Sequence, residues 1–205
     1  MLAQITSAER DKGIRVSNVV LMGMGEPLDN FDNAMRFLEL VGDDKGLNLS
    51  LRNISLSTCG VVPRIYDLMD RHLQLTLSVS LHAPNNEMRS KTMPINRKYP
   101  IEELLKACRE YTKRTSRRIS FEYAMIKDVN DSDACAYELA SLLKGMLCHV
   151  NLIPVNEIKE GVFKRSASVE KYKQMLIDGG LNATVRRTLG ADISAACGQL
   201  RRDNK

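Results

Sequence analysis

The chain has no tryptophan, and phenylalanine and tyrosine bring the aromatic share to only 5%. A stacking platform for nucleic-acid bases is therefore not evident, because such platforms rest on aromatic side chains. No G-x-G-x-x-G follows an apolar run and no G-x-x-x-x-G-K-[ST] occurs, which removes support for ordinary dinucleotide and phosphate-loop readings. No apolar stretch is long enough to span a bilayer. The opening "MLAQITSAERDKG" lacks the basic end and apolar core of a secretion signal, so the expectation is a cytoplasmic chain with reduced thiols. The five cysteines, Cys59, Cys108, Cys135, Cys148 and Cys197, include no pair at the two-to-four-residue spacing of a zinc knuckle or an iron–sulfur loop.

What is present is globular material. The 205 residues are 43% hydrophobic and 27% charged, enough to bury a core, and residues 1–205 read as a single domain. A net charge of +5 permits a polyanionic partner without requiring one.

Strand-length apolar runs alternate with stretches of helical period. Val16 to Met24, Asn53 to Thr58, Leu75 to Leu81, Ile119 to Ile126 and His149 to Val155 are rich in Val, Ile and Leu and end at turn residues, and Asn182 to Leu189 reads as a last strand. Helices are expected at Leu2 to Lys12, Asn30 to Val41, Val62 to Arg71, Pro100 to Arg114, Asp131 to Gly145 and Ser166 to Gly180. Pro100 with Glu102 and Glu103 suits a helix start, and Gly179 with Gly180 suits a stop. This alternation predicts an α/β fold with parallel strands, either a doubly wound sheet or a barrel, and "VVLM" and "LTLSVSL" suggest strands covered on both faces.

In such folds chemistry collects at the C-terminal ends of the strands. Those ends read "GMGEPLDN", "STCG", "SLHAPN", "EY" and "NLIPVN". Each is ordinary alone: Gly25 allows a tight turn, "STCG" has the composition of a helix cap, His82 is a common structural histidine, and Asn156 suits a turn. Together they place hydrogen-bonding groups on one rim, where glycine lets a ligand approach the backbone and Glu26 can receive an ammonium.

"GMGEPLDN", "LSTCGVVPRI", "SVSLHAPNNEMRSKTMPINRKYP", "VNLIPVN" and "GADISAACGQL", in this order, closely resemble the radical S-adenosylmethionine enzymes that methylate adenine at carbon 2 in ribosomal and transfer RNA. The carbon-8 methyltransferases are similar but less close. The likeness runs from about Val16 to Leu200. It implies a partial (β/α)6 barrel, with Gly25 and Glu26 on the amino end of S-adenosylmethionine, and Ser57, Ser80, Leu81, His82 and Asn156 as further cofactor contacts. It also implies that Cys197 is the thiol that is methylated and then carries the methyl-derived radical to the adenine. A lone cysteine between alanines is otherwise most often an inert hydrophobe.

The chain departs from that pattern in having no cysteine before Cys59. The family's C-x-x-x-C-x-x-C loop for a four-iron, four-sulfur cluster is therefore absent, as is its second catalytic cysteine. The expectation is the C-terminal part of a longer enzyme, its first barrel strand and N-terminal domain removed, unable by itself to use the cluster's electron donor or to methylate RNA. Basic pairs at Lys113 and Arg114, Arg117 and Arg118, Arg186 and Arg187, and Arg201 and Arg202 are candidate phosphate contacts for ribosomal or transfer RNA. The rival reading is a non-catalytic RNA-binding or partner-binding piece. No membrane partner is expected.

Overall fold

In the computed structural model, residues 1–155 and 164–187 are described. Six strands, β1 (Val19–Leu21), β2 (Ile54–Thr58), β3 (Thr76–Ser80), β4 (Ile119–Met125), β5 (Cys148–Pro154) and β6 (Ala183–Val185), form one sheet in chain order. Every neighbouring pair is parallel. Seven α-helices accompany them: α1 (Leu2–Lys12), α2 (Phe31–Gly42), α3 (Val62–Asp70), α4 (Asn86–Thr92), α5 (Ile101–Thr115), α6 (Asp133–Leu143) and α7 (Val169–Asp178). β1 and β6 are the two edges among the described residues, so the sheet is open, as an incomplete parallel barrel is.

Local sequence explains the elements. Helix α5 starts after Pro100, carries Glu102 and Glu103 in its first turn and Lys113 and Arg114 in its last, which complements the helix dipole at both ends. It buries Ile101, Leu104, Leu105, Cys108 and Tyr111 along one stripe. Helix α1 stops at Gly13, which takes the left-handed conformation at φ 62°. Helix α4 was not expected, because its seven residues, NEMRSKT, show no apolar period. Asn85 starts it by accepting from the Met88 amide at 3.0 Å.

The sheet has two unlike faces. One carries Ile54, Leu56, Leu77, Val79, Ile119, Phe121, Tyr123, Val150 and Leu152, all buried in a single core with the helices. Register places Ser55 beside Thr76, Ser57 beside Ser78, Ser78 beside Ser120, Ser80 beside Glu122, and Glu122 beside Asn151 on the other face. β3 is covered, with Leu77, Ser78 and Val79 all buried, but only one of its faces is apolar: "LTLSVSL" alternates, with Leu77 and Val79 outward and Thr76, Ser78 and Ser80 inward. At the sheet edge Val20 is 61% exposed. The core lies between sheet and helices, and the inner face is a polar surface at the barrel's centre.

Candidate active site at the strand ends

The rim is built from the loops that leave β1, β2 and β3. After β1 the chain turns at Gly25, whose φ of 92° is in the left-handed region open to glycine. That turn presents Glu26, half-buried, whose Oε1 accepts from the Leu28 amide at 3.0 Å and whose Oε2 accepts from the Cys59 amide at 2.7 Å. The carboxylate thus joins the ends of β1 and β2. Each oxygen accepts one of these bonds, and a carboxylate oxygen has capacity for about two, so room remains for an ammonium.

Ser57 points to the inner face from β2 and Ser80 from β3, both half-buried. Neither hydroxyl donates to or accepts from another group among the described residues. "STCG" does not supply a side-chain cap to α3, which follows Val61 with Pro63 in its first turn. Instead Thr58 Oγ1 accepts from the Gly60 amide at 3.1 Å.

Leu81 is fully buried, and its amide donates to the Glu122 carbonyl at 3.1 Å. His82 follows with φ 57°, a conformation unusual for histidine. It is held there from two sides: its carbonyl accepts from Asn130 Nδ2 at 2.8 Å, and its Nδ1 accepts from the Ala124 amide at 3.0 Å. With Nδ1 as acceptor the ring proton belongs on Nε2. Burial, helped by the nearby Arg89 guanidinium, lowers the His82 pKa from 6.5 to about 4, so the ring is neutral near pH 7.

Cys59 adjoins the site but is no nucleophile. Burial first, then the Glu26 carboxylate, push its thiol up to about 12. Cys108 and Cys148 are buried on α5 and β5, and burial raises them to about 12 and about 11. Among the described residues no three His, Cys, Asp or Glu side chains are placed to hold a metal ion. Asn156 and Cys197 lie outside the described residues.

Of the expected site residues, Gly25, Glu26, Ser57, Ser80, Leu81 and His82 therefore share the C-terminal ends of three adjacent strands. One polar residue of the inner face, Glu122, enters the sequence reading only within "EY" at the rim, with no cofactor role. Glu122 is 5% exposed, accepts from Ser120 Oγ at 3.1 Å and from Asn151 Nδ2 at 2.7 Å, and has its pKa raised by burial. Its signal was available: a lone acid two residues after Ser120 in an otherwise apolar strand. The basic pairs divide between the two ends of the sheet. Lys113, Arg114, Arg117 and Arg118 precede β4, at the end opposite the rim, and Arg114 pairs with Asp70 at 2.9 Å. Arg186 and Arg187 follow β6 on the rim side, both exposed, while Arg201 and Arg202 lie outside the described residues.

Parallel strands, outer helices and a polar mouth at the strand ends define an α/β-barrel-type enzyme domain. The model of the Radical SAM superfamily matches residues 6–139, more than half of the chain. The chain belongs to the radical SAM superfamily.

It is 56% identical over 205 residues to a Clostridium novyi protein named "Probable dual-specificity RNA methyltransferase RlmN", covering 99% of this chain and 60% of that one. A protein of the same name from Caldanaerobacter subterraneus is 54% identical over 98% of this chain and 59% of its own. The crystal structure of a radical SAM methyltransferase from Sphaerobacter thermophilus superimposes with a TM-score of 0.91 at 48% identity, over 97% of this chain and 58% of that one. A domain of pyruvate-formate lyase-activating enzyme from Bacteroides vulgatus shares the fold alone, with a TM-score of 0.64 at 19% identity, over 84% of this chain and all of that one. The chain spans about 60% of the length of the curated relatives it matches. Among the described residues no helix is long and apolar enough to cross a membrane.

Proposed function

We propose that this chain is the catalytic barrel of a radical S-adenosylmethionine enzyme that methylates carbon 2 of adenine in ribosomal and transfer RNA. The observation that carries the reading is the 56% identity, along 99% of the chain, to a relative named as a dual-specificity RNA methyltransferase. The donor set at the rim fits the cofactor. Glu26 has acceptor capacity left for the ammonium of its methionine part, the Ser57 and Ser80 hydroxyls have no competing protein partner among the described residues, and Nε2–H of neutral His82 is a donor. Gly25 lets the backbone approach the same group, Leu81 holds the strand end from the core, and Asn156, outside the described residues, is proposed as a further contact from the sequence alone.

When bound, S-adenosylmethionine supplies the methyl group and, on one-electron reduction, a carbon radical. Of this chain's residues, the Glu26 carboxylate would hold the cofactor's ammonium, and the Ser57 and Ser80 hydroxyls and the His82 Nε2–H would be available to its other polar groups. Cys197 is proposed as the thiol that receives the methyl group. The described residues do not fit an iron–sulfur cluster, so the cluster and the docking of its electron donor are assigned to a part of the enzyme that this chain does not contain. Arg186 and Arg187, at the rim, are the described basic pair best placed for RNA phosphates.

A chimera tests this, with the present chain replacing the matched segment of the Clostridium novyi relative. After anaerobic reconstitution, nuclease digests of ribosomal and transfer RNA are expected to contain 2-methyladenosine by mass spectrometry, and the Cys197→Ala chimera none. An inactive chimera whose parent relative is active would reject the reading. If the isolated chain then bound RNA, the non-catalytic alternative would be favoured.

A further inference from the structure

Arg89, on α4, is completely buried and takes part in none of the ion pairs among the described residues. Its guanidinium is instead surrounded by oxygens of neutral groups. Nε donates to the Leu81 carbonyl at 3.2 Å, Nη1 to Asn96 Oδ1 at 3.0 Å, and Nη2 to the carbonyls of Cys59 at 2.7 Å and Ser80 at 3.1 Å. A buried cation without a counter-ion is costly and a poor source of stability. What it provides is geometry, because the planar fork of arginine reaches several acceptors from one point and lysine cannot copy it.

Those acceptors are the ends of two strands. Cys59 is the residue whose amide holds the Glu26 carboxylate, and Ser80 and Leu81 lead directly into His82. Gly60 lies beside the guanidinium: a Cβ there would reach Nη2 at 3.4 Å, an ordinary contact, and crowd Leu104 at 3.1 Å. Behind Arg89, Asn96 is 3% exposed and locked by donating from Nδ2 to the Asn86 carbonyl, Asn86 Oδ1 and Ser90 Oγ, which aims its Oδ1 at the guanidinium.

We infer that Arg89, braced by Asn96, is the positioning residue that sets the distance between the Glu26 half and the Ser80–His82 half of the rim. Its role in ligand binding rests on the S-adenosylmethionine reading proposed above. Arg89 does not touch the ligand; it acts through Cys59 on Glu26 and through Leu81 on His82.

The test uses the 205-residue chain, Arg89→Lys and Asn96→Ala, with S-adenosylmethionine as the probe in calorimetry and amide NMR as an independent readout. In Arg89→Lys the amide resonances of Cys59 and Ala124, which donate to Glu26 and His82, are expected to shift while those of Val150 and Leu152 stay in place. Affinity is expected to fall about tenfold or more, the scale of losing several bonds to a charged group. Asn96→Ala removes one of the four bonds, so the same two amides shift less and affinity falls about threefold. A folded Arg89→Lys chain with both amides unmoved, or with wild-type affinity, overturns the inference. Should Arg89→Lys not fold, the Asn96→Ala result decides in the same way. If the wild-type chain itself fails to bind S-adenosylmethionine, the cofactor reading falls, and the amide shifts alone still support or overturn the positioning role.

Discussion

Acidification should expose His82 as a built-in weak point of the rim. Its ordinary pKa of 6.5 drops to about 4 in the fold, chiefly through burial. Between those values the unfolded chain binds a proton that the folded chain refuses, so stability rises with pH across the window. The contribution is fully present above pH 6.5 and is lost as pH falls through about 4. The fall from 6.5 to about 4 amounts in full to about 3 kcal/mol. For a domain of this size that corresponds to a melting-temperature loss on the order of 6–12 °C. The control is His82→Asn. Its Oδ1 takes the place of Nδ1 and keeps an acceptor for the Ala124 amide, and asparagine tolerates the left-handed backbone at this position. Urea unfolding of both chains at about pH 7.5, 5.5 and 4.5 is expected to show the wild type losing about 2.5 kcal/mol more than the variant over that range, since the full loss is reached only below pH 4. Other groups titrating in this window cancel in the subtraction. Parallel losses in the two chains would refute the reasoning.

Glu122 behaves in the opposite sense, since burial raises its pKa and its charged form is the disfavoured one. Glu122→Gln, with Oε1 accepting from Asn151 and Nε2 donating to Ser120, should be more stable than wild type at about pH 8 and lose that advantage at about pH 4; a pH-independent difference in denaturant unfolding would contradict this. Gly60→Ala should cost about 1–3 kcal/mol in the same measurement, because φ 105° strains any L-residue and the new Cβ meets Leu104 at 3.1 Å. An unchanged midpoint would show that the loop relaxes freely.

The fold was legible where period and punctuation agree. Helix α1 falls at Leu2–Lys12 as expected, because its period ends at a glycine that can adopt the left-handed cap. β1 covers only Val19–Leu21, against an expected Val16 to Met24, since a strand with one hydrogen-bonded neighbour is ordered only as far as that ladder runs. β3 is covered as its apolar run suggests, Ser78 being 2% exposed, while the alternation of its serines with Leu77 and Val79 marks one face as polar. Glu26 and His82 were legible as polar groups at strand ends, but what they touch was not. Glu26 is fixed by an amide 33 positions along the chain and His82 by one 42 positions along, pairings that exist only once the strands are side by side. Arg89 carried no signal at all, because a basic residue among Asn, Glu, Ser and Lys reads as a solvated surface.

The most direct measurement is equilibrium dialysis of S-adenosylmethionine against the wild-type chain and Glu26→Ala, with the fold of both checked by circular dichroism. Saturable binding by the wild type, lost in a folded Glu26→Ala chain, is the result expected if the strand-end rim holds the cofactor through that carboxylate. No saturable binding by the wild type, or equal affinity in the two chains, would contradict it.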